Sequence, residues 1–552
     1  MKIKFLALAM IAMLFTACKP DPQPEGGEGS DTNNGNAEGS YIAISIAADN
    51  MDRGFDDGTE TFEDGLADEN VVKSVNVFFF RNGNSFIINE AIGKNFQEFV
   101  FNKETQKDNI EEISNSVLVI NKHQGELPNQ MVVVLNWTPN EDTYTLAELQ
   151  AALTNHINNI DGTNYFVMSN AVYKDAAGDV YATPLAITDF QETATDARNN
   201  PVQVYVERVA AKVRVTTNGD IDDDQDPAND GHTFALRNAE GGEYKVKVGG
   251  FDTPVQVYAK ITGWELYNDY QESYLLKNIK DLPAYNDEFN GFYWNSPSNH
   301  RSYWAKSFTG FIDTLNYNSI TEYPNQKYCG ENTKSPLNGD GVNKTLRTQV
   351  VLKAELQANG QPIEIARWHG NDYIEKENLI IAVTNTLVNT YYTRTEDANS
   401  TTEKPVYIYN PITTNDLQTV VGSTALGEKE YVVYVQLKDD TKTWYKRNGS
   451  AFEEISYTDL NDELKGIIGE ALLYEGGKTY YFTDIKHLGN TYGVVRNHIY
   501  DININSITGL GTPVVSGNPE IVTPEVPKDN ATYVAAQINI LSWRLITNNV
   551  NL

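Results

Sequence analysis

Short stretches with apolar residues at every second position recur along most of this 552-residue chain. The clearest is 41–48, where Ile42, Ile44 and Ile46 alternate with small residues, a pattern that predicts a half-buried strand. Residues 132–135 are apolar throughout and predict a strand that is buried on both faces. Further strands are predicted at 71–81, 131–137, 202–216, 256–264, 348–354, 431–437, 480–483 and 499–504.

Two helices interrupt this pattern. Thr145 and Glu148 have the spacing of a capping box, which predicts a helix that begins after Thr145. The apolar stripe expected on this helix consists of Leu146, Leu149, Leu153, Ile157 and Ile160. A second helix is predicted at 459–472. The sequence therefore predicts a mainly-β protein with a few decorating helices.

The charge and the cysteine content exclude several classes of protein. Lys and Arg number 43 against 75 Asp and Glu, so the formal net charge is −32. Such a surface repels nucleic acid and anionic lipid headgroups, and no nucleic-acid partner is expected. The two cysteines, Cys18 and Cys329, cannot form a disulfide framework or a cysteine-based zinc site. Cys329 is expected to be a buried small side chain.

The N-terminus has the pattern of an export signal. Lys2 and Lys4 precede the apolar run 5–15, which ends at small residues directly before Cys18. This arrangement resembles a bacterial lipobox, in which Cys18 is acylated, so residues 1–18 are predicted to be a lipoprotein signal peptide. Residues 19–40 are rich in Pro, Gly and acidic residues and predict a flexible tether.

The remaining chain is predicted to form two domains. The acidic segment 218–232 separates an N-terminal domain, 41–217, from a larger C-terminal domain, 218–530. Residues 520–530 contain two prolines and predict a linker. Residues 531–552 form a last apolar segment.

This last segment changes the phase of its alternation. The apolar residues first occupy even-numbered positions, namely Val534, Ala536, Ile538 and Ile540. They then occupy odd-numbered positions, namely Leu541, Trp543 and Leu545. The change predicts a bulge or bend between two consecutive strand pieces. Such a segment can close a sheet of its own chain, or it can fill a groove in a neighbouring molecule.

No catalytic motif is found, and neither an enzyme nor a cofactor is expected. The seven histidines are scattered, and His487 and His498 are expected to be surface or packing residues. The acidic loop 220–230 lacks the Gly and Glu of a calcium-binding loop and is better explained as solvated, with weak calcium binding left open. Trp294 and Trp304 could contribute to a sugar-stacking face, but core or rim positions are the more usual explanation.

Several motifs in the same order resemble those of the Bacteroidetes fimbrillins, specifically the minor type of type V pilus subunit. The motif at 206–213 (VERVAAKV) looks like the V-x-R-x-A-A-K strand of that family. The motif at 495–504 (VRNHIYDINI) resembles its R-N-x-x-Y-x-V-x-I strand, with Ile502 where the pattern has Val. The segments 71–78, 261–268, 507–511 and 538–545 also fit.

This resemblance implies a fold and a mechanism. The fold is two β-sandwich (transthyretin-like) domains. The precursor is a lipoprotein of the outer membrane, and an arginine-specific extracellular protease cuts after Arg53, before Gly54. The cut removes the strand that contains Ile42, Ile44 and Ile46. The C-terminal strand of another copy, containing Val534 to Leu545, then fills the groove. The product is a cell-surface fimbrium that mediates adhesion and biofilm formation, with accessory anchor and tip subunits and an adhesion ligand as further partners.

The residues support this mechanism independently. Arg53 is the only basic residue between Lys19 and Lys73, and it lies in a loop of the kind that proteases nick. An ordinary surface arginine is the alternative for Arg53, and a strand that closes its own sheet is the alternative for the C-terminal segment. The alternative function is a monomeric surface lipoprotein, a tip or anchor adhesin, that binds a glycan or a host protein.

Overall fold

The structure is a computed structural model. It describes residues 39–47, 60–61, 65–88, 93–100, 112–121, 126–175, 178–219, 231–247, 254–270, 272–279, 305–308, 314–337, 343–422, 432–487, 491–515, 520–521, 533–541 and 545–547. The helices are α1 Leu146–Ala151, α2 Ala194–Asn199, α3 Lys376–Leu387 and α4 Tyr457–Ile468. Among the described residues, no helix has the length and apolar character needed to cross a membrane.

The strands dominate the described residues, and the predicted mainly-β class is confirmed. The first twenty-one are β1 Gly39–Ala47, β2 Glu60–Thr61, β3 Ser74–Arg81, β4 Asn84–Ser85, β5 Phe96–Val100, β6 Glu112–Asn121, β7 Gln130–Leu135, β8 Leu153–Asn155, β9 Ile157–Ile160, β10 Thr163–Phe166, β11 Met168–Asn170, β12 Tyr173–Asp175, β13 Gly178–Val180, β14 Thr183–Pro184, β15 Val202–Arg208, β16 Ala211–Thr217, β17 Thr233–Ala235, β18 Lys245–Val246, β19 Val255–Gln256, β20 Tyr258–Tyr267 and β21 Glu272–Tyr274. The others are β22 Lys327–Cys329, β23 Gln349–Ala358, β24 Gln361–Pro362, β25 Ile365–Trp368, β26 Asn371–Ile374, β27 Tyr391–Glu396, β28 Tyr407–Pro411, β29 Leu417–Val421, β30 Val432–Leu437, β31 Trp444–Asn448, β32 Ala451–Ile455, β33 Ala471–Tyr474, β34 Lys478–Asp484, β35 Ile499–Thr508, β36 Thr512–Pro513, β37 Tyr533–Leu541 and β38 Leu545–Thr547.

The N-terminal sheet has the strand order β4-β3-β7-β11-β15-β1-β6, with β5 and β14 attached to β3 and β7. Its central strands are covered on both faces. In β3, Val75 and Val77 face one apolar cluster, and Phe78 and Phe80 face another. The residues 132–135 of β7 are fully buried, as their continuous apolar pattern predicts.

The C-terminal sheet has the order β2-β38-β37-β35-β16-β22. A second sheet, β17-β20-β23-β34-β36, faces it across a shared core. That core includes Val213 of β16, Ile502 of β35, Trp264 of β20 and Leu352 of β23, all with at most 2% of their surface exposed. Two sheets that bury a common apolar layer form a β-sandwich.

An inserted unit lies between β23 and β34 in the chain. It contains the sheets β26-β25-β33-β30-β29 and β28-β27-β31-β32. Helices α3 and α4 supply Leu379, Val383, Leu460 and Leu464 to a separate apolar core in this unit. Helix α4 was predicted at 459–472 and is found at Tyr457–Ile468, whereas α2 and α3 were not predicted.

One predicted helix is much shorter than expected. The capping box is present, because the Thr145 hydroxyl accepts a hydrogen bond from Glu148 N at 3.2 Å and the Glu148 carboxylate accepts one from Thr145 N at 2.6 Å. The helix nevertheless ends at Ala151, and β8 and β9 follow. The prediction that Leu153, Ile157 and Ile160 extend the helical stripe is therefore wrong. Pairing of β8 with β21 and of β9 with β10 outweighs the local helical spacing.

The single strand predicted at 202–216 is two strands that belong to different sheets. β15 lies in the N-terminal sheet and β16 in the C-terminal sheet. Val209 and Ala210 form the link. Ala210 packs in the apolar cluster of the N-terminal sheet, and Ala211 packs in the core of the C-terminal sandwich.

Residues 39–552 form one compact unit. The domain boundaries proposed from the sequence stay a prediction.

Candidate functional site

β1 occupies a slot between two strands of the N-terminal sheet. It runs parallel to β15, with Ile44 opposite Val202 and Ile46 opposite Val204. It runs antiparallel to β6 on its other side. Within the described residues, β6 pairs only with β1. The strand β1 is thus the element that joins β6 to the rest of this sheet.

Ile42 anchors β1 in the apolar core. Its side chain is fully buried in the cluster that contains Val75, Phe166 and Val204. Burying an isoleucine side chain stabilises a contact by about 1.5–3 kcal/mol before ordering costs. The side chains of Ile44 and Ile46 lie outside the description, although both residues are part of β1.

The C-terminal segment forms an antiparallel hairpin on its own chain. β37 pairs with β35 from Tyr533 opposite Thr508 to Leu541 opposite Ile499. β38 pairs back on β37, with Leu545 opposite Leu541. Two strand pieces are therefore present, as predicted, but Leu541 ends the first piece instead of beginning the second. The second piece reverses direction instead of continuing past a bend.

Most of the candidate donor residues lie in these two strands. Val534, Ala536, Ile538, Ile540 and Leu541 are in β37, and Leu545 is in β38. Their side chains are outside the description. Trp543, the lipidation candidate Cys18 and the cleavage candidates Arg53 and Gly54 lie outside the described residues, as does the whole acidic loop 220–230.

A buried carboxylate fixes the chain just after the predicted cleavage loop. Glu69 lies in a short 3-10 turn, Ala67–Asn70, and its side chain is about 1% exposed. Lys212 Nζ lies 2.5 Å from Glu69 Oε1, and the Leu66 N–H donates to Glu69 Oε2 at 2.9 Å. The Tyr328 hydroxyl also donates to Glu69 Oε1, and burial together with this bond raises the pKa of Tyr328.

Arg208 completes this group, which we call the Glu69 anchor (Gly65–Asn70 with Arg208, Lys212 and Tyr328). Arg208 Nε donates to the Glu69 carbonyl oxygen at 3.0 Å, and the guanidinium also contacts Asn70. A Cβ atom on Gly65 would lie 2.9 Å from Arg208 Nη2, so only glycine fits there without a shift. Arg208 and Lys212 are the charged residues of the V-x-R-x-A-A-K motif. Their contacts give the motif a structural explanation.

A second buried ionic group joins β15 to the motif around Arg496. Lys277 Nζ lies 2.9 Å from Glu207 Oε2, and Arg496 Nη2 lies 2.6 Å from Glu331 Oε2. All four side chains are at most 4% exposed. Burial raises the pKa of Glu207, and the charges of Lys277 and Arg496 oppose that rise. Arg496 Nη1 also donates to the Leu275 carbonyl at 3.1 Å.

Sequence reasoning missed Glu69, Lys277 and Glu331. Glu69 lies in an acidic stretch that contains Asp64, Asp68 and other carboxylates, and no local signal marks it as buried. Only the two arginine-containing motifs pointed to this region. Their sequence pattern identified Arg208, Lys212 and Arg496 but not the acids that neutralise them.

The other expectations concern packing and metals. Cys329 is fully buried, as predicted, and burial raises the pKa of its thiol well above the ordinary value. His487 and His498 are also buried, which fits their predicted packing function. Within the described part of the chain, no group of three or more His, Cys, Asp or Glu side chains has the arrangement of a metal site.

The C-terminal part of the chain matches a known family. Residues 473–549 match the family described as "Major fimbrial subunit protein type IV, Fimbrillin, C-terminal". This range contains β34 to β38 and the R-N-x-x-Y motif, so the similarity to the fimbrillins covers the C-terminal part of the chain. The match confirms the resemblance to the fimbrillins that the motifs predicted.

The similarity of this chain to solved structures is weaker. A fimbrilin (fimA) from Porphyromonas gingivalis is 12% identical with a TM-score of 0.33, covering 93% of this chain and 99% of that one. A fimbrial assembly protein from Parabacteroides distasonis is 11% identical with a TM-score of 0.29, covering 76% and 98%. The tip fimbrial protein Mfa3 from Porphyromonas gingivalis, with a C-terminal truncation, is 12% identical with a TM-score of 0.29, covering 92% and 100%.

TM-scores this low do not establish a shared fold, so the similarity to the fimbrillins depends on the C-terminal match. No curated protein matches the chain.

Proposed function

We propose that this chain is a minor-type structural subunit of a cell-surface fimbrium that polymerises by strand exchange. The precursor is exported as a lipoprotein through Cys18 and carried to the outer membrane. A protease cuts after Arg53, β1 leaves its slot, and the C-terminal strand of another copy enters. The subunit has a structural rather than a catalytic function.

The position of β1 is the observation that supports this proposal most. Its removal would leave β15 and β6 one strand apart, each with a row of unpaired backbone N–H and C=O groups. It would also open the pocket of the core that Ile42 fills. Buried backbone groups without partners are costly, so the empty slot would bind a new strand strongly.

The C-terminal segment has a suitable length for that slot. β37 and β1 each contain nine residues. In the isolated chain β37 pairs with β35. Both interpretations of the C-terminal segment are compatible with this pairing: a donor strand before exchange, and a strand that only closes its own sheet. Exchange requires β37 to leave β35. The slot and the segment belong to one chain but to different sheets, so exchange between copies is a head-to-tail contact. Such a contact produces a fibre when its rotation does not close a ring, and the proposal takes this outcome.

A limited digestion tests this proposal. Residues 19–552 are incubated with a low dose of trypsin, the new N-terminus is sequenced, and the product is imaged by negative-stain electron microscopy. We expect a cut before Gly54 and fibres only after that cut. The Arg53→Ala protein should give no fibres, whereas Arg53→Lys remains a trypsin site and should give them.

Two results would overturn the proposal. Fibres from uncut Arg53→Ala protein would show that cleavage is not the switch. A complete cut before Gly54 that leaves only monomers would favour a tip or anchor adhesin that works as a monomer. A binding screen against glycans and host proteins would then be the next measurement.

A further inference from the structure

The strand that follows Arg53 pairs with the C-terminal hairpin. β2 is antiparallel to β38, with Glu60 opposite Ile546 and Thr61 opposite Leu545. β2 is therefore the outermost strand of the C-terminal sheet, whereas β1 lies in the N-terminal sheet. The chain segments before and after the predicted cut belong to two different sheets.

The chain is fixed again a few residues after β2. Gly65 is four residues beyond Thr61, and it begins the Glu69 anchor, in which Lys212 and Arg208 hold the turn Ala67–Asn70. The close approach of Arg208 Nη2 to Gly65 makes this attachment tight. A buried ionic group thus fixes the chain shortly after the C-terminal end of β2.

β2 is also tied at its N-terminal end in the uncut chain. Only residues 48–59 separate it from β1, which is held by β15, by β6 and by the burial of Ile42. A paired segment of two residues is too short to persist without support. Attachment at both ends keeps its effective concentration at β38 high.

We propose that β2 acts as a strap that holds the C-terminal hairpin on its own sheet, and that cleavage after Arg53 slackens this strap. This inference rests on the proposed function. Cutting the chain releases β1 and at the same time leaves the strap attached only through the Glu69 anchor. A single cut therefore acts on both partners of the exchange. It opens the slot that receives a strand, and it loosens the hairpin that provides one.

Amide hydrogen exchange on the uncut chain tests the strap directly. The double variant Glu60→Pro/Thr61→Pro removes two backbone N–H groups from β2, and Glu60→Ala/Thr61→Ala is the matched control. In the proline variant we expect exchange at Leu545–Thr547 to rise about fivefold or more, since outer strands open locally. Exchange in β1 and β3 should stay at the wild-type level, which also shows that the variant is folded.

Fibre growth after the cut gives the second readout. The cut proline variant should form fibres after a shorter lag than the cut alanine control. Equal exchange at Leu545–Thr547 in the proline and alanine variants would overturn the strap. Absence of fibres from every cut protein, with the exchange difference still present, would instead count against the proposed function and leave the strap intact.

A cysteine pair covers the case in which the proline variant fails to fold. Thr61 and Leu545 are direct partners across the two strands. The Thr61→Cys/Leu545→Cys protein, once oxidised, ties the strap to the hairpin. We expect the cut, oxidised protein to form no fibres and dithiothreitol to restore them. Fibres from the oxidised protein would overturn the inference.

Discussion

Lys212 and Glu69 form an ion pair at 2.5 Å in which both side chains are only about 1% exposed. Lys212 is the first residue of β16 that pairs with β35, and Glu69 lies just before β3. The pair therefore ties the turn before β3 of the N-terminal sheet to β16 of the C-terminal sheet. Arg208 adds a second positive charge at the same carboxylate-bearing turn.

We predict that Glu69→Ala is strongly destabilising. The change leaves Lys212 buried without its counter-charge, and breaking a buried pair in this way costs about 3–5 kcal/mol. Urea denaturation of residues 19–552 measures the loss. Glu243→Ala is the matched control, because Glu243 pairs with Lys245 at the same 2.5 Å distance with 66% and 46% of the side chains exposed. That change should cost under about 1 kcal/mol, and a similar loss for both variants would contradict the prediction.

Two glycine-to-alanine changes should act in opposite directions. At Gly65 the new Cβ would lie 2.9 Å from Arg208 Nη2 and 3.0 Å from Glu69 Oε2, so Gly65→Ala should disturb the Glu69 anchor and lower the melting temperature. Gly466 lies inside α4 with nothing within 4 Å of the added atom. Gly466→Ala should stabilise the protein by about 0.5–1 kcal/mol, because glycine is a poor helix former. Calorimetry of both variants checks the sign.

Ile42→Ala should loosen β1 in its slot. Ile42 is fully buried, and truncation of such a residue costs about 2–5 kcal/mol through lost burial and the cavity left behind. We expect faster amide exchange in β6, which pairs with β1, and faster fibre growth after the cut. Ile187→Ala, at a residue that is 83% exposed, is the control and should change neither. Unchanged exchange in β6 would show that Ile42 does not hold β1.

The stability should also depend on pH through His487. This residue is buried beside His498, and its Nδ1 lies 2.9 Å from the Tyr500 hydroxyl. Burial, and then the charge of His498, lower the pKa of His487 well below its ordinary value of 6.5. The unfolded chain therefore binds a proton near pH 6.5 that the folded chain does not bind. The resulting stability is fully present above pH 6.5 and is lost as the pH falls towards the folded-state pKa, by up to about 1.4 kcal/mol per pH unit.

The variant His487→Gln should remove this contribution. Urea denaturation at several pH values between 5 and 7.5 gives the slope of the unfolding free energy for wild type and variant. We expect a smaller slope in the variant over the acidic half of that range. Equal slopes would show that His487 does not titrate differently in the folded and unfolded chains.

Period-two alternation located the long strands, because side chains that face a core and side chains that face away must alternate in a strand. It did not reveal that the segment 202–216 changes sheets at Val209 and Ala210, although the apolar residues shift there from even positions (202, 204, 206) to odd positions (211, 213, 215). The capping box located the start of α1 correctly, but its end was decided by the partners of β8 and β9, which are distant or follow later in the chain.

The candidate site was predictable only in part. The apolar alternation of β1 and of the C-terminal segment marked both as strands, and the fimbrillin motifs joined them into one mechanism. The Glu69 anchor could not be found in this way, because the burial of a carboxylate depends on Lys212 and Tyr328, which are more than a hundred residues away. The pairing of β2 with β38 is equally non-local.

The link between β15 and β16 has a mechanical consequence. In a fibre assembled as proposed, tension enters each subunit at the slot beside β15 and leaves through the chain that follows β35. Within the subunit this load crosses from β16 to β35, which are parallel and paired from Lys212 opposite Ile499 to Thr217 opposite Ile504. Pulling on the start of one parallel strand and the end of the other loads all these pairs at once in shear. The subunit would therefore resist stretching as a whole ladder rather than unzip one pair at a time.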